Sequence, residues 1–283
     1  MRSKVHIFML LVCSLALFSC QPVDLEKELR LGSVAAKKND WKTALAKAEL
    51  CLDNVPSSAD AAILKSLSLF MLHGDNAEEL DKALELIRQV TKEHPERYDA
   101  FLVHGWILLC KGRLDEAITP LKKAYELQLD VSNKNVTQVV QGTINYALGT
   151  AYMYNNIPDA AEKHLLTATK STPYNTWYSI YASLGVTAFY KGQHKKALDY
   201  MVKARGMAPK DEYAVAVNIA VLVDYLSYSQ FNKVNPKVYA AQRQNWYRYA
   251  LNCVMAARRS SANLKEQAYL DDLAKRIRKR AKI

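Results

Sequence analysis

Glycine is scarce in this chain, and its few copies do not build a phosphate-binding loop. The nine glycines among 283 residues include neither a G-x-G-x-x-G nor a G-K-[ST] motif, which excludes the common nucleotide-binding loops. No serine has the G-x-S-x-G setting of hydrolases. Acidic pairs such as those in AEEL and LDDL are typical of solvated helix faces. These absences disfavour an enzyme.

Cysteine and histidine are too few and too scattered to predict a metal site or a disulfide framework. The five cysteines contain no C-x-x-C pair, and the six histidines form no H-x-x-x-H or H-x-x-E-H pattern. His104 and Cys110 are six residues apart and are not neighbours on a helix face. Cys51, Cys110 and Cys253 lie in apolar helical patterns, so we expect small core residues. No cofactor and no metal is predicted.

Long apolar runs are also absent, except at the N-terminus. Arg2 and Lys4 precede an apolar run from Ile7 to Phe18, which is shorter than the roughly 20 residues of a transmembrane helix. A positive start followed by a short apolar stretch is typical of an export signal. We therefore predict a signal peptide over residues 1–19.

The end of this run resembles the lipobox of bacterial lipoproteins. Leu17-Phe18-Ser19-Cys20 has the leucine and the cysteine of that motif, although Phe18 is bulkier than the usual residue. The resemblance implies cleavage before Cys20, lipidation of Cys20 and a tether over residues 20–24. Gln21 in place of aspartate then favours the outer membrane, with the protein facing the periplasm. An ordinary cleaved signal peptide and an uncleaved anchor are the alternatives.

The net charge of +11 is concentrated at the C-terminus. Residues 258–283 hold nine lysines or arginines and three acidic residues. An exported protein is not expected to meet nucleic acid, so this segment is better suited to anionic lipid or a cell-wall polymer. We predict a basic amphipathic capping helix over residues 262–283, whose basic surface comprises Lys275, Arg276, Arg278, Lys279 and Arg280.

The chain does contain small residues and prolines repeated at intervals of twelve. Three 26-residue segments, which begin at Leu31, Leu148 and Leu184, each start with Leu-Gly and carry alanine twelve positions after the glycine. Each ends in proline after a further twelve. A fourth copy lacks the proline; a fifth lacks the glycine, and HGDNAEEL is expected to lengthen its turn. The repeat positions are Gly32, Ala44, Pro56, Ala83, Pro95, Gly105, Ala117, Gly149, Ala161, Pro173, Gly185, Ala197 and Pro209.

This spacing predicts a stack of helix pairs. Apolar residues recur every three or four positions within each unit, and polar segments such as KKND and YKGQ divide the unit into two helices. Gly185 against Ala197 would allow the two helices to pack closely. Pro209 would then end the second helix. Self-similarity at this period is typical of a solenoid, in which each pair is buried by its neighbours.

The repeated residues resemble the tetratricopeptide repeat. In one unit the matching positions are Ala197, Met201, Ala204 and Pro209. The resemblance implies an all-α fold, namely a right-handed α-solenoid of antiparallel helix pairs with a C-terminal capping helix. The expected repeats are about 25–58, 59–97, 98–131, 142–175 and 178–211, with an insertion at 132–141 and a degenerate sixth helix pair at 212–258.

The family resemblance also implies a concave groove lined by the first helix of each repeat. Transferring the groove positions onto this sequence gives an uncharged, aromatic surface that comprises Trp106, Tyr146, Thr150, Met153, Tyr154, Phe189 and Tyr190. The basic clamp with which some family members grip a terminal carboxylate is missing. Tyr152 and Tyr181 are expected to face the core, whereas Tyr154 and Tyr190 either bind a ligand or only pack.

Together these patterns predict a lipid-anchored scaffold that binds a partner protein or an extended peptide within a cell-envelope assembly. Pilus biogenesis, outer-membrane protein insertion and cell-wall synthesis are all compatible with this layout, because the repeat specifies a fold and not a partner. The alternative is a protein that associates with the membrane or the cell wall through its basic C-terminal helix, with the repeats as a spacer.

Overall fold

The computed structural model describes residues 23–74, 76–128, 134–171, 177–209 and 264–281, together with isolated positions between 215 and 258. The predicted signal peptide, Cys20, Pro173, Cys253 and most of the predicted sixth helix pair lie outside the described residues. Within the described segments the regular elements are α-helices. This confirms the all-α fold class.

The helices of the described segments follow one another at short intervals. They are α1 (Val23–Lys37), α2 (Trp41–Asn54), α3 (Ala59–His73), α4 (Ala77–Glu93), α5 (Tyr98–Cys110), α6 (Leu114–Leu127), α7 (Lys134–Tyr154), α8 (Pro158–Ser171), α9 (Trp177–Tyr190), α10 (His194–Met207) and α11 (Leu264–Ala281).

These helices belong to two compact units, α1–α8 and α9–α11. In the first unit each helix packs against the next along the chain, and α1, α3, α5 and α7 also contact one another in succession. In the second unit α9 packs against α10. The arrangement of consecutive helix pairs is that of a helical solenoid.

In four of the described helix pairs the two helices are joined by the same short turn. Asn39, Gly112, Asn156 and Gly192 have positive φ angles between 55° and 72°. At Gly112 the backbone N–H donates to the Leu109 carbonyl, and the next N–H donates to the Leu108 carbonyl. Equivalent bonds recur at the other three turns. Glycine and asparagine are the residues that tolerate this left-handed conformation, so they mark the turn.

The α3–α4 turn differs from the prediction. Only residues 74–76 separate the two helices, as many as in the other turns, so the turn is not lengthened. The additional residues form helix instead, because α4 is 17 residues long and Asn76 caps its N-terminus by accepting hydrogen bonds from Glu78 N and Glu79 N. Ala83 is consequently the seventh residue of α4, whereas Ala44 is the fourth of α2.

Prolines lie at a constant distance from the ends of the second helices. Pro56, Pro95 and Pro209 each follow the last helical residue by two positions. The intervening residue still donates its N–H to the carbonyl four residues earlier, at 2.8 Å for Val55 and 2.9 Å for Ala208. Proline has no N–H to continue this pattern, so the helix ends there.

Three of the repeat glycines, Gly105, Gly149 and Gly185, accommodate a larger side chain than the sequence suggested. The repeat alanines are fully buried, but the atoms nearest a Cβ added at Gly185 belong to Met201, at 2.7 Å, and those at Gly149 belong to Leu165, at 2.6 Å. Gly105 faces Leu121 in the same way. The close approach predicted for Gly185 and Ala197 is therefore made by the apolar residue one turn after the alanine.

Two further predictions about local structure concern the segment before the fourth repeat and the cysteines. Helix α7 begins at Lys134, so residues 134–141, expected in an insertion, extend the first helix of their pair by about two turns. Cys51 is buried as expected, whereas Cys110 is only partly buried, and neither cysteine is in a disulfide.

Candidate protein-binding surface

Most of the predicted groove residues are buried. The exposed fractions are 2% for Trp106, 5% for Tyr146, 6% for Thr150 and 4% for Met153. The rings of Trp106 and Tyr146 lie 5.7 Å apart, between α5 and α7. These four side chains are buried and do not line an open surface as the sequence predicted.

Two of the buried groove residues carry unpaired polar atoms. Trp106 Nε1 and Thr150 Oγ1 have no hydrogen-bond partner in the described part of the chain. A buried polar atom without a partner costs about 1–3 kcal/mol. The buried groove residues are therefore closely packed, but not all of their polar atoms have hydrogen-bond partners.

Tyr154 and Tyr190 are the groove residues that reach solvent. Their exposed fractions are 54% and 50%. Each is the last residue of its first helix, α7 or α9, and follows the repeat glycine by five positions. Phe189 is half-buried, and its ring lies 6.2 Å from the Tyr190 ring. Because α7 and α9 belong to different units, these are two separate exposed aromatic positions.

Tyr152, expected in the core, contributes to a polar aromatic cluster between α7 and α8. Its ring stacks on the His164 imidazole at 5.5 Å, and His164 Nδ1 lies 2.7 Å from Asn145 Oδ1. Burial, with smaller contributions from Lys163 and Lys122, lowers the pKa of His164. The lowered pKa favours the neutral imidazole, whose ring packs against Tyr152.

Tyr181 is buried at the α9–α10 contact, as expected. Lys203 Nζ lies 4.1 Å from the centre of the Tyr181 ring and donates a hydrogen bond to its hydroxyl at 2.8 Å. The Tyr200 ring lies 6.0 Å away. A cation over a tyrosine face adds to the packing of the pair.

An ion-pair bridge that the sequence did not reveal joins the starts of α3 and α5. Arg97 Nη1 contacts Asp60 Oδ1 at 2.6 Å, and Arg97 Nη2 contacts Asp99 Oδ2 at 2.7 Å. Arg97 Nε donates a second bond to Asp99 at 2.9 Å. Burial alone would lower the pKa of Arg97, but the Asp99 and Asp60 carboxylates outweigh it and raise that pKa. The sequence signal is an aspartate at the second residue of both helices.

The basic C-terminal segment forms the amphipathic helix α11. Leu270, Leu273, Ala274 and Ile277 are buried on one side. On the other side, among the residues of the predicted basic surface whose side chains the structure describes, Lys275, Arg276, Arg278 and Lys279 are exposed. The Arg280 side chain lies outside the described set.

The described residues offer no metal site and no membrane-spanning helix. No group of three or more histidine, cysteine or acidic side chains within them could hold a metal ion. None of the described helices is both long and apolar enough to cross a bilayer.

Comparison with known proteins identifies the repeat. Residues 75–129 match the tetratricopeptide repeat family model. No curated protein matches the chain in sequence. Among solved structures, PilF of Pseudomonas aeruginosa is similar with a TM-score of 0.59 and 14% identity, over 88% of this chain and 96% of PilF.

Two further structures show the same fold. PilW, a widely conserved type IV pilus biogenesis factor, has a TM-score of 0.59 and 19% identity, over 83% of this chain and all of PilW. A thermophilic tetratricopeptide repeat protein from Thermus thermophilus has a TM-score of 0.52 and 20% identity, over 70% of this chain and 98% of the other. Residues 75–129 are thus tetratricopeptide repeat sequence, and the chain has the fold of a tetratricopeptide repeat protein.

Proposed function

We propose that this protein is a non-enzymatic scaffold that binds a partner protein or an extended peptide through the ends of its first helices. The observation that supports this most directly is the exposure of Tyr154 and Tyr190 at corresponding positions of α7 and α9. Tyrosine is a common anchor of protein interfaces, because it buries a large area with little loss of rotamer entropy.

The proposed surface is narrower than the groove inferred from the sequence. It consists of two separate contact positions, Tyr154 in the first unit and Tyr190 in the second, with Phe189 beside Tyr190. Trp106, Tyr146, Thr150 and Met153 form the packed layer that holds the first helices in place.

We further propose that the scaffold is attached to the outer membrane through a lipidated Cys20 and faces the periplasm. The lipobox-like sequence before Cys20 supports the attachment. The fold similarity to PilW, a pilus biogenesis factor, is compatible with a role in an envelope assembly. The partner would then be another envelope protein.

Photo-crosslinking tests the proposed surface. The full-length protein is produced in its host with p-benzoylphenylalanine at position 154 or 190, and at position 269 as a control. Tyr269 is also an exposed tyrosine, but it lies on α11. We expect a discrete protein adduct at 154 or 190 that is absent at 269.

Affinity capture then measures the energetic contribution of the two tyrosines. The same partner should co-purify with the unmodified protein at both low and high salt, because an apolar contact is only weakly screened. It should be lost from a Tyr154→Ala/Tyr190→Ala variant and retained by Tyr269→Ala. Equal recovery from all three proteins would refute the proposed surface.

A second candidate function is attachment to an anionic polymer or lipid through α11. The exposed Lys275 and Lys279, on the side opposite the buried Leu273 and Ile277, favour it. Binding of this kind should weaken steeply as the salt concentration rises. A Lys275→Gln/Lys279→Gln variant that loses salt-sensitive binding while the Tyr154→Ala/Tyr190→Ala variant retains it would select this function.

A further inference from the structure

The outer face of α1 carries an exposed stripe that is apolar at its centre and basic at its edges. Leu31 and Val34 are 44% and 41% exposed, although they lie on a helix whose opposite side buries Leu29. The exposed Lys27 lies on the same face of α1, one turn before Leu31. The exposed Lys38 directly follows the last residue of α1 and still donates its N–H to the Val34 carbonyl, so it continues this face. We refer to these four residues as the α1 stripe.

Among the side chains that the structure describes, the remaining charges of α1 leave the stripe positive. Asp24, whose side chain lies outside the described set, falls on the same face one turn before Lys27. Arg30, beside the stripe, pairs with Glu26 at 2.7 Å. Glu28 is turned towards α2, where it pairs with Lys47. Lys37 is exposed at the edge of the stripe. The described side chains therefore place cations, and no unpaired carboxylate, around Leu31 and Val34.

The corresponding face of a later repeat is covered by protein. Ile107 holds in α5 the position that Val34 holds in α1, two residues after the repeat glycine, and it is completely buried, where α5 packs against the preceding helix α4. α1 packs against α2 and α3, and its stripe remains exposed. An apolar strip flanked by lysines is typical of helices that lie in a membrane interface.

We propose that the α1 stripe lies on the lipid headgroup surface of an anionic membrane and orients the first unit relative to that membrane. This inference rests on the proposed lipid anchor at Cys20. Helix α1 begins at Val23, and the three residues from Cys20 to Val23 span at most about 10 Å. An acylated Cys20 therefore keeps the start of α1 close to the headgroups.

The composition of the stripe fits such a surface. Leu31 and Val34 would bury apolar area at the boundary between headgroups and acyl chains, while Lys27 and Lys38 would contact the anionic headgroups. Each lysine near an anionic surface strengthens binding by about fivefold. The acyl chains would hold the protein at the membrane, and the α1 stripe would set the orientation of the first unit relative to it.

Photo-crosslinking at position 31 tests the occupant of the stripe directly. The full-length protein carries p-benzoylphenylalanine at position 31, or at position 50 as a matched control, in the membranes of its host. Leu50 is 42% exposed but lies on α2. After irradiation, mass spectrometry of the purified protein should find lipid adducts at least five times more often at 31 than at 50.

Other adducts at position 31 would overturn the proposal. Covalent homodimers would assign the stripe to a second copy of the chain, and adducts with another protein would assign it to a partner. Equal lipid yields at positions 31 and 50 would mean that the stripe has no preferred contact with lipid.

A charge variant tests the anionic preference. Reconstituted into vesicles with 30% phosphatidylglycerol, the full-length Lys27→Gln/Lys38→Gln variant should lose at least fivefold of the lipid adduct at position 31. It should match the unmodified protein in pure phosphatidylcholine. Lys122→Gln/Lys123→Gln, which removes two exposed lysines of α6, should behave like the unmodified protein in both. An unchanged yield in the anionic vesicles would refute the electrostatic contribution.

The mass of the N-terminal peptide separates this proposal from the proposed anchor. Acylated Cys20 without lipid adducts at position 31 would retain the anchor and reject the orientation. Lipid adducts at position 31 on a chain without acylated Cys20 would retain the orientation and reject the anchor.

Discussion

At the scale of single residues, the repeat glycines are required by the side chain opposite. A Cβ at Gly149 would meet Leu165 Cγ at 2.6 Å and Leu165 N at 3.1 Å. A Cβ at Gly185 would meet the flexible Met201 side chain, whose nearest atom is 2.7 Å away. The two sites have the same repeat position but differ in how far the neighbour can move.

We expect Gly149→Ala to lower the free energy of unfolding by about 1–2 kcal/mol. The overpacking cost of about 1–3 kcal/mol exceeds the gain in helix propensity, which is about 1 kcal/mol. Gly185→Ala should cost less, because methionine adapts its shape. Gly206, on α10, has no atom within 4 Å of an added Cβ, so Gly206→Ala should be neutral or stabilising. Urea denaturation of the three variants checks this order, and equal losses at all three would contradict it.

His104 links stability to pH. Burial, followed by Arg88 and Arg113, lowers its pKa to about 4. The unfolded chain, with a histidine pKa near 6.5, therefore binds the proton more readily than the folded chain. Stability should consequently fall as the pH drops from about 6.5 to 4, and the contribution of His104 should be constant above that window.

The His104→Gln variant isolates the contribution of His104 to the pH dependence of stability. His104→Gln cannot take up the proton, so its loss of stability between pH 7 and pH 4.5 should be smaller than that of the unmodified protein. Urea midpoints measured across this range give the comparison. Parallel curves for the two proteins would show that His104 does not contribute.

At the scale of the helix, the Arg97 bridge connects the starts of two first helices. Arg97→Met would leave the buried Asp99 carboxylate, whose side chain is 8% exposed, without its cation and with only the Ala100 N–H donating to it. We expect a loss of about 2–4 kcal/mol in unfolding free energy. Lys82→Met, which breaks exposed pairs on α4, should cost much less, because ion pairs in contact with solvent contribute little to stability. Similar urea midpoints for the two variants would rule out a structural role for the bridge.

The helix pairs could be predicted from the sequence because their determinants are local. The interval of twelve between Gly185 and Ala197 locates a pair, and Pro56 marks the end of α2. Proline position alone is ambiguous, however. Pro120 is buried inside α6, and Pro158 is the first residue of α8, where its missing N–H is tolerated.

Burial of the groove residues could not be predicted in the same way. Transferring positions from the family placed Trp106 and Tyr146 on a surface, but the distance between α5 and α7 brings their rings together. That distance depends on contacts between repeats, which one repeat sequence does not encode. Tyr154 and Tyr190 reach solvent because each ends its helix, and this feature is visible in the sequence.

At the scale of the whole molecule, the proposed anchor predicts where the protein is found. Cys20→Ala should abolish acylation and release the protein into the soluble fraction, or leave an unprocessed precursor. The mature unmodified protein should remain in the membrane after a carbonate wash, and its N-terminal peptide should carry the mass of acyl chains. A mature, unacylated N-terminus would instead support an ordinary signal peptide.

The common turn geometry has a consequence for how such a chain can change in length. Four helix pairs have turns with the same hydrogen bonds, at Asn39, Gly112, Asn156 and Gly192. Each of these pairs is therefore a repeating unit with the same internal turn. A duplicated helix pair would contain the same turn geometry as the original pair. The gene could therefore have grown by copying whole pairs, while each copy remained free to exchange the residue that ends its first helix, as Cys110, Tyr154 and Tyr190 illustrate.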